Sequence, residues 1–185
     1  MDVFANPEAK ELNPDEALKK FGNWLRFKKE AEDLAEFEKK LLDTPGERFL
    51  EHLERELNPS RSYKMVVLLS LLSTKTKQTS WTITEIARRF LDFYLNNPVY
   101  ISDYKALSRE ADPSKYPIQK VEKHIIDKPI KRLSKPKNDC FIYDKNKQIF
   151  LIKKEYIPYW TNVEYRKLAK DRVIFKLKWH MKDKI

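Results

Sequence analysis

Glycine is nearly missing from this chain. Two in 185 residues leave no Gly-rich loop to cradle a phosphate, which excludes Walker-type and dinucleotide-binding fingerprints and a Gly-x-Ser-x-Gly elbow. Cysteine is scarcer still: Cys140 alone rules out an internal disulfide framework and a multi-cysteine zinc site, and it reads as a small hydrophobe opening a strand. The three histidines, His52, His124 and His180, are far apart, with no His-Glu-x-x-His pair, so each is expected to be structural. No acidic pair followed by Glu-x-Lys suggests a metal-dependent nuclease. A non-enzymatic protein without cofactor or metal is therefore expected. Long apolar runs are also missing, the longest covering about residues 65–72 against the roughly 20 needed to span a bilayer. With no signal peptide at the Met-Asp-Val-Phe start, no membrane partner and a reducing cytoplasm are expected.

What is present is a core and an uneven charge. Apolar residues make up 41% and aromatics 12%, too many for a disordered chain. Residues 1–60 hold 10 Lys/Arg against 15 Asp/Glu, whereas residues 61–185 hold 28 against 13. The C-terminal two-thirds thus carries a net +15 and the first 60 residues −5, together the +10 of the chain, which points to a polyanion partner for the basic part because each neutralised phosphate releases counterions. A lysine-rich surface that only maintains solubility is the plainer reading of the same charge.

The acidic part, residues 1–60, reads as a helical hairpin. Its first helix is expected after Asn13-Pro14 and on to about Leu42, carried by Leu18, Phe21, Leu25, Leu34, Phe37 and Leu41, with Gly22 as a weak point. The second opens at Thr44-Pro45-Gly46-Glu47 as a capping box, buries Phe49, Leu50, Leu53 and Leu57, and ends at Asn58-Pro59. The cluster Trp24, Leu25 and Phe27 reads as core before it reads as an interface.

Residues 61–155 show three helical segments and a hairpin, the order of a winged-helix domain. Ser62–Leu72 is apolar on nearly every side, as in a buried helix. Thr82 and Glu85 form a capping box, after which Ile83, Ile86, Ala87, Phe90, Leu91 and Tyr94 make one stripe. The third segment begins near Ser114 or Pro117, turns Ile118, Val121 and Ile125 inward, and is the candidate recognition helix; Pro129 bends or stops it around Asp127 and Lys128. Phe141–Tyr143 and Ile149–Ile152 flank the turn Asp144-Lys145-Asn146-Lys147 as a β-hairpin with a cationic tip. Residues 97–116 form either a short extra helix around Asp103–Arg109 or a mobile loop. Residues 156–185 are expected to pack on this domain as a helix over Tyr156–Ala169, interrupted at Pro158, and a strand over residues 173–182, where a period near two outweighs a possible helical face. The fold class expected is mostly α with a small β-hairpin.

The run Ser62-Tyr63-Lys64-Met65-Val66-Val67-Leu68-Leu69-Ser70-Leu71-Leu72, followed by Thr84-Glu85-Ile86-Ala87-Arg88-Arg89-Phe90-Leu91-Asp92-Phe93-Tyr94, resembles the C-terminal accessory region of bacterial DEAD/DEAH-box (superfamily 2) helicases, over residues 62–160. The motor motifs of those helicases are absent. The resemblance therefore implies no ATPase activity, but a C-terminal piece that helps to position nucleic acid or a partner domain.

Three functions follow as expectations. The first is a DNA-binding module with the third helix near a groove, using Lys120, Lys123, Lys128, Lys131 and Arg132, and Lys145 and Lys147 on the wing. The second is a docking module for a helicase core or partner subunit, marked by an exposed patch of Trp24, Phe27, Tyr159 or Trp160. The third is a transcriptional regulator dimerising through its N-terminal helices. Sequence does not rank duplex against single strand, or monomer against dimer.

Overall fold

The computed structural model describes residues 14–55, 57, 60–73, 78–135 and 140–182. It is mostly helical with one small antiparallel sheet. At its centre stands α5 (Tyr63–Leu72), with every residue from Met65 to Leu72 buried. A helix that is apolar on all sides must be enclosed, and α5 is packed by α6 (Ile83–Asn96) and α10 (Val163–Met181). Its one internal hydroxyl, on Ser70, donates to the Val66 carbonyl at 2.8 Å, so burial strands no donor there.

The capping box of α6 forms as the spacing predicts. Thr82 Oγ1 accepts from the Glu85 N–H at 3.2 Å and Glu85 Oε2 accepts from the Thr82 N–H at 3.1 Å. Ile83, Ile86, Ala87, Phe90, Leu91 and Tyr94 are all buried behind it. The next twenty residues are neither a single extra helix nor a loose loop. Three short 3₁₀ turns, Pro98–Asp103, Leu107–Arg109 and Pro113–Lys115, seat Asp103, Tyr104 and Leu107 in the core.

The third segment starts as α7 (Ile118–Ile125) and does not stop at Pro129. Residues Ile126–Ile130 form one π turn around that proline, and the helix resumes as α8 (Lys131–Leu133). The wider turn, closed by the Lys131 N–H on the Ile126 carbonyl, takes up a ring that has no N–H to give. The hairpin follows as β2 (Phe141–Asp144) and β3 (Ile149–Ile152), paired from Phe141↔Ile152 to Asp144↔Ile149. A third strand, β1 (Ser80–Thr82), was not expected; it pairs with β3 to give the order β1-β3-β2.

The N-terminal region departs from its expected outline. The helix expected from Pro14 to Leu42 is three: α1 (Pro14–Phe21), α2 (Trp24–Glu30) and α3 (Glu36–Lys39). Gly22 breaks the first with a φ of +88°, and Asn23 caps the second by accepting from the Arg26 N–H at 2.9 Å. Glu32, with φ of +54°, turns the chain again. In α4 (Pro45–Arg55) the Thr44 hydroxyl accepts from the Gly46 N–H at 3.1 Å, but Glu47 reaches back one residue further than expected, to the Asp43 N–H at 2.6 Å. The expected stops at Asn58-Pro59 and the first thirteen residues lie outside the described residues.

The C-terminal expectation is corrected outright: residues 173–181 are helix, not strand. α9 (Ile157–Trp160) carries Pro158 in its first turn, where the ring is tolerated, and the break falls later, at Thr161 and Asn162. Asn162 then caps α10, which runs unbroken to Met181 and buries Tyr165, Ala169, Arg172, Val173, Lys176 and Leu177 at helical spacing. This helix closes against both α5 and α4, so residues from all three stretches of sequence share one core cluster.

Candidate nucleic-acid interface

All seven cations singled out in the sequence lie exposed. The fold places them on more than one surface. Where α7 ends in the π turn and α8, it faces the hairpin across a concave groove of about 440 Å³. Lys131 and Lys135 line the helical side, Lys145 and Lys153 the sheet side, and Asp127 is the one carboxylate among the described lining residues. Tyr143 and the 43% exposed Ile142 give the floor an apolar surface. Four ammonium groups around one concavity raise the local anion concentration more than the same charges on a flat face.

The elements framing this groove are fixed by local chemistry. Glu122 accepts from the Thr84 hydroxyl at 2.5 Å, holding α7 to the first turn of α6. Lys120 is carried with its ammonium 5.6 Å from the centre of the Tyr116 ring. At the hairpin tip the Asp144 carboxylate accepts from the Asn146 and Lys147 N–H groups at 3.0 and 3.1 Å, an Asx-type turn, and Gln148 takes a left-handed φ of +52°. That turn projects Lys145 and Lys147 from the sheet.

Lys128 and Arg132 do not join the groove. The π turn puts them on a different face of the same helical segment, where they line a second cavity with Arg61, Lys64 and His124. Sequence reasoning missed Lys135 and Lys153 in the groove, and Arg61 and Lys64 in the second cavity. Lys153 directly follows β3, so its position beside the wing was open to inference; the other three become neighbours only in the folded chain.

His124, His180 and Cys140 each pack against neighbours within the fold. His124 packs between the Tyr63 and Tyr104 rings, each 4.5 Å away, and burial with the nearby Lys128 charge lowers its pKa to about 4. His180 Nε2 lies 2.8 Å from the buried Asp103 carboxylate. Burial pushes the Cys140 thiol up to about 12, which leaves it protonated and unreactive at neutral pH. Among the described residues no group of three or more His, Cys, Asp and Glu could hold a metal, and no helix is long and apolar enough to cross a membrane. Of the four aromatic residues named for a docking patch, Trp24 and Trp160 are 1% and 0% accessible, whereas Phe27 and Tyr159 are half-buried. Compared with protein-family models, with curated proteins and with solved structures, the chain matches none.

Proposed function

We propose that this protein is a non-catalytic, winged-helix-like module that binds DNA through the groove between α7–α8 and the hairpin. The observation that carries the reading is the gathering of Lys131, Lys135, Lys145 and Lys153 around one concavity, with Asp127 the one carboxylate among its described lining residues. Supporting it are the order helix, strand, helix, helix, hairpin and the strand order β1-β3-β2. Lys120 and Lys123 of α7, and Lys147 at the hairpin tip, are also exposed on the elements that frame the groove. Lysine ammonium groups contact phosphate as point charges, so binding through this surface is dominated by the backbone of the duplex rather than by base edges. The resemblance to helicase accessory regions suggests the setting, a module that holds nucleic acid for a motor carried elsewhere.

The test is fluorescence anisotropy with a labelled duplex, comparing the full chain with a variant in which Lys131, Lys135, Lys145 and Lys153 are all Gln. Loss of four phosphate contacts should weaken binding by well over about tenfold at moderate salt. Equal affinity of the two proteins rules out the groove.

A further inference from the structure

Three consecutive residues of β2, Phe141, Ile142 and Tyr143, line the groove that faces α7–α8. Successive side chains of a strand point to opposite faces, so a surface lined by all three runs along the edge of the strand and not over one face. The hydrogen bonding agrees. The Lys153 N–H donates to the Cys140 carbonyl at 3.0 Å, which turns the peptide groups of Cys140, and at a period of two those of Ile142 and Asp144, toward β3. Phe141 and Tyr143 turn theirs outward, because β2 is an outer strand in the order β1-β3-β2, and no backbone group among the described residues meets them there.

The edge therefore offers peptide donors and acceptors within a groove that is apolar at its floor and cationic at its rim. Tyr143 packs on the core cluster and lines the groove, and its hydroxyl donates to Gln148 Oε1 at 2.9 Å, which fixes the tilt of the ring. Ile142 beside it stays 43% exposed. Lys131, Lys135 and Lys145 stand exposed around this floor. A volume of about 440 Å³ lies within the roughly 300–1,000 Å³ that takes one small organic ligand. A duplex keeps its bases stacked inside and can cover such a groove without entering it, whereas an unpaired nucleotide can enter.

We propose that the groove seats an unpaired base of a single DNA strand against Tyr143 and the open edge of β2. This rests on the reading that the groove binds DNA, and names the form of DNA it takes. The lysines hold the phosphates beside the seated nucleotide, the Tyr143 ring gives the base a stacking surface, and a peptide N–H and C=O side by side complement the donors and acceptors of its Watson–Crick edge. Every base has a stacking face, so the seat separates single strand from duplex more than it separates one sequence from another.

The experiment is fluorescence anisotropy of the full chain at one salt concentration with labelled oligothymidine of about twelve nucleotides, an abasic strand of the same length, and an uninterrupted duplex. Oligothymidine should bind about tenfold more tightly than the abasic strand, which carries the same phosphates without bases. Tyr143→Ala should remove that difference and leave the abasic strand and the duplex unchanged, whereas Tyr143→Phe, which keeps the ring, should preserve it. Equal binding of oligothymidine and abasic strand by the wild-type chain overturns the seat without recourse to a variant. So does an equal loss for all three probes in a Tyr143→Ala chain of native dichroism. If duplex affinity still depends on the groove lysines in either case, the DNA reading stands without the seat; if none of the three probes binds, both fall. Polyglutamate that matches oligothymidine in affinity assigns the open edge to an acidic peptide and likewise overturns the seat.

Discussion

Arg172 Nε lies 2.6 Å from Glu54 Oε1, with both side chains at zero exposure and 118 residues of chain between them. Glu54 also accepts from the Trp24 N–H at 2.9 Å, so one carboxylate joins α2, α4 and α10. Burial raises the Glu54 pKa, against the opposing pull of Arg172 and that backbone donor. Removing one partner leaves the other charge buried. Arg172→Met should cost about 3–5 kcal/mol of stability, read as a lower urea midpoint with little change in slope. A loss under about 1 kcal/mol would show that the pair is dispensable.

The same link bears on how the chain can be divided. Phe49, Leu50 and Leu53 of α4 sit in the core cluster with α5 and α10. A fragment of residues 61–185 loses those side chains together with Glu54, and should show the dye binding and weak near-ultraviolet dichroism of a loosely packed state. Sharp, native-like dichroism from that fragment contradicts this.

Gly46 is required by contact, not by conformation. A Cβ built there would stand 2.6 Å from Tyr159 Cδ1, and the Gly46 carbonyl accepts from the buried Tyr165 hydroxyl at 2.8 Å. Gly46→Ala should destabilise by about 1–3 kcal/mol through overpacking. Combined with Tyr159→Leu the penalty should shrink, and an additive double-mutant cycle argues against the clash.

His124 makes stability depend on pH in a predictable direction. Its folded pKa of about 4 lies below the unfolded value of 6.5, so between those values the unfolded chain binds a proton that the native chain does not. Its contribution is full above pH 6.5 and is lost progressively as pH falls toward 4. His124→Phe, which keeps a ring against Tyr63 and Tyr104, should flatten the stability profile in that window. An unchanged profile, or an imidazole titrating near 6.5 by NMR, contradicts the burial argument.

Local signals were legible in the sequence, and tertiary ones were not. The Thr82–Glu85 box, the apolar α5 and the hairpin around residues 144–147 all involve partners close in the chain. β1 escaped notice because it is three residues long, buries only Trp81, and acquires its meaning from β3 far downstream. The second half of α10 read as a strand over residues 173–182 because two of the helix's buried positions are Arg172 and Lys176, whose charges act on Glu54. A polar side chain on the buried face hides a helical stripe. Within the candidate site, Lys131 and Lys145 were found from charge and position, but the π turn at Pro129 decided which cations share the groove. That geometry depends on how one proline is accommodated.

The salt dependence of duplex binding tests the central claim most directly. Wild-type protein should give a steep negative slope of log affinity against log salt, and replacing Lys131, Lys135, Lys145 and Lys153 by Gln should flatten it by about three to four, near 0.9 per phosphate released. A slope that is the same in both proteins, or an affinity insensitive to salt, contradicts a phosphate-binding groove between α7–α8 and the hairpin.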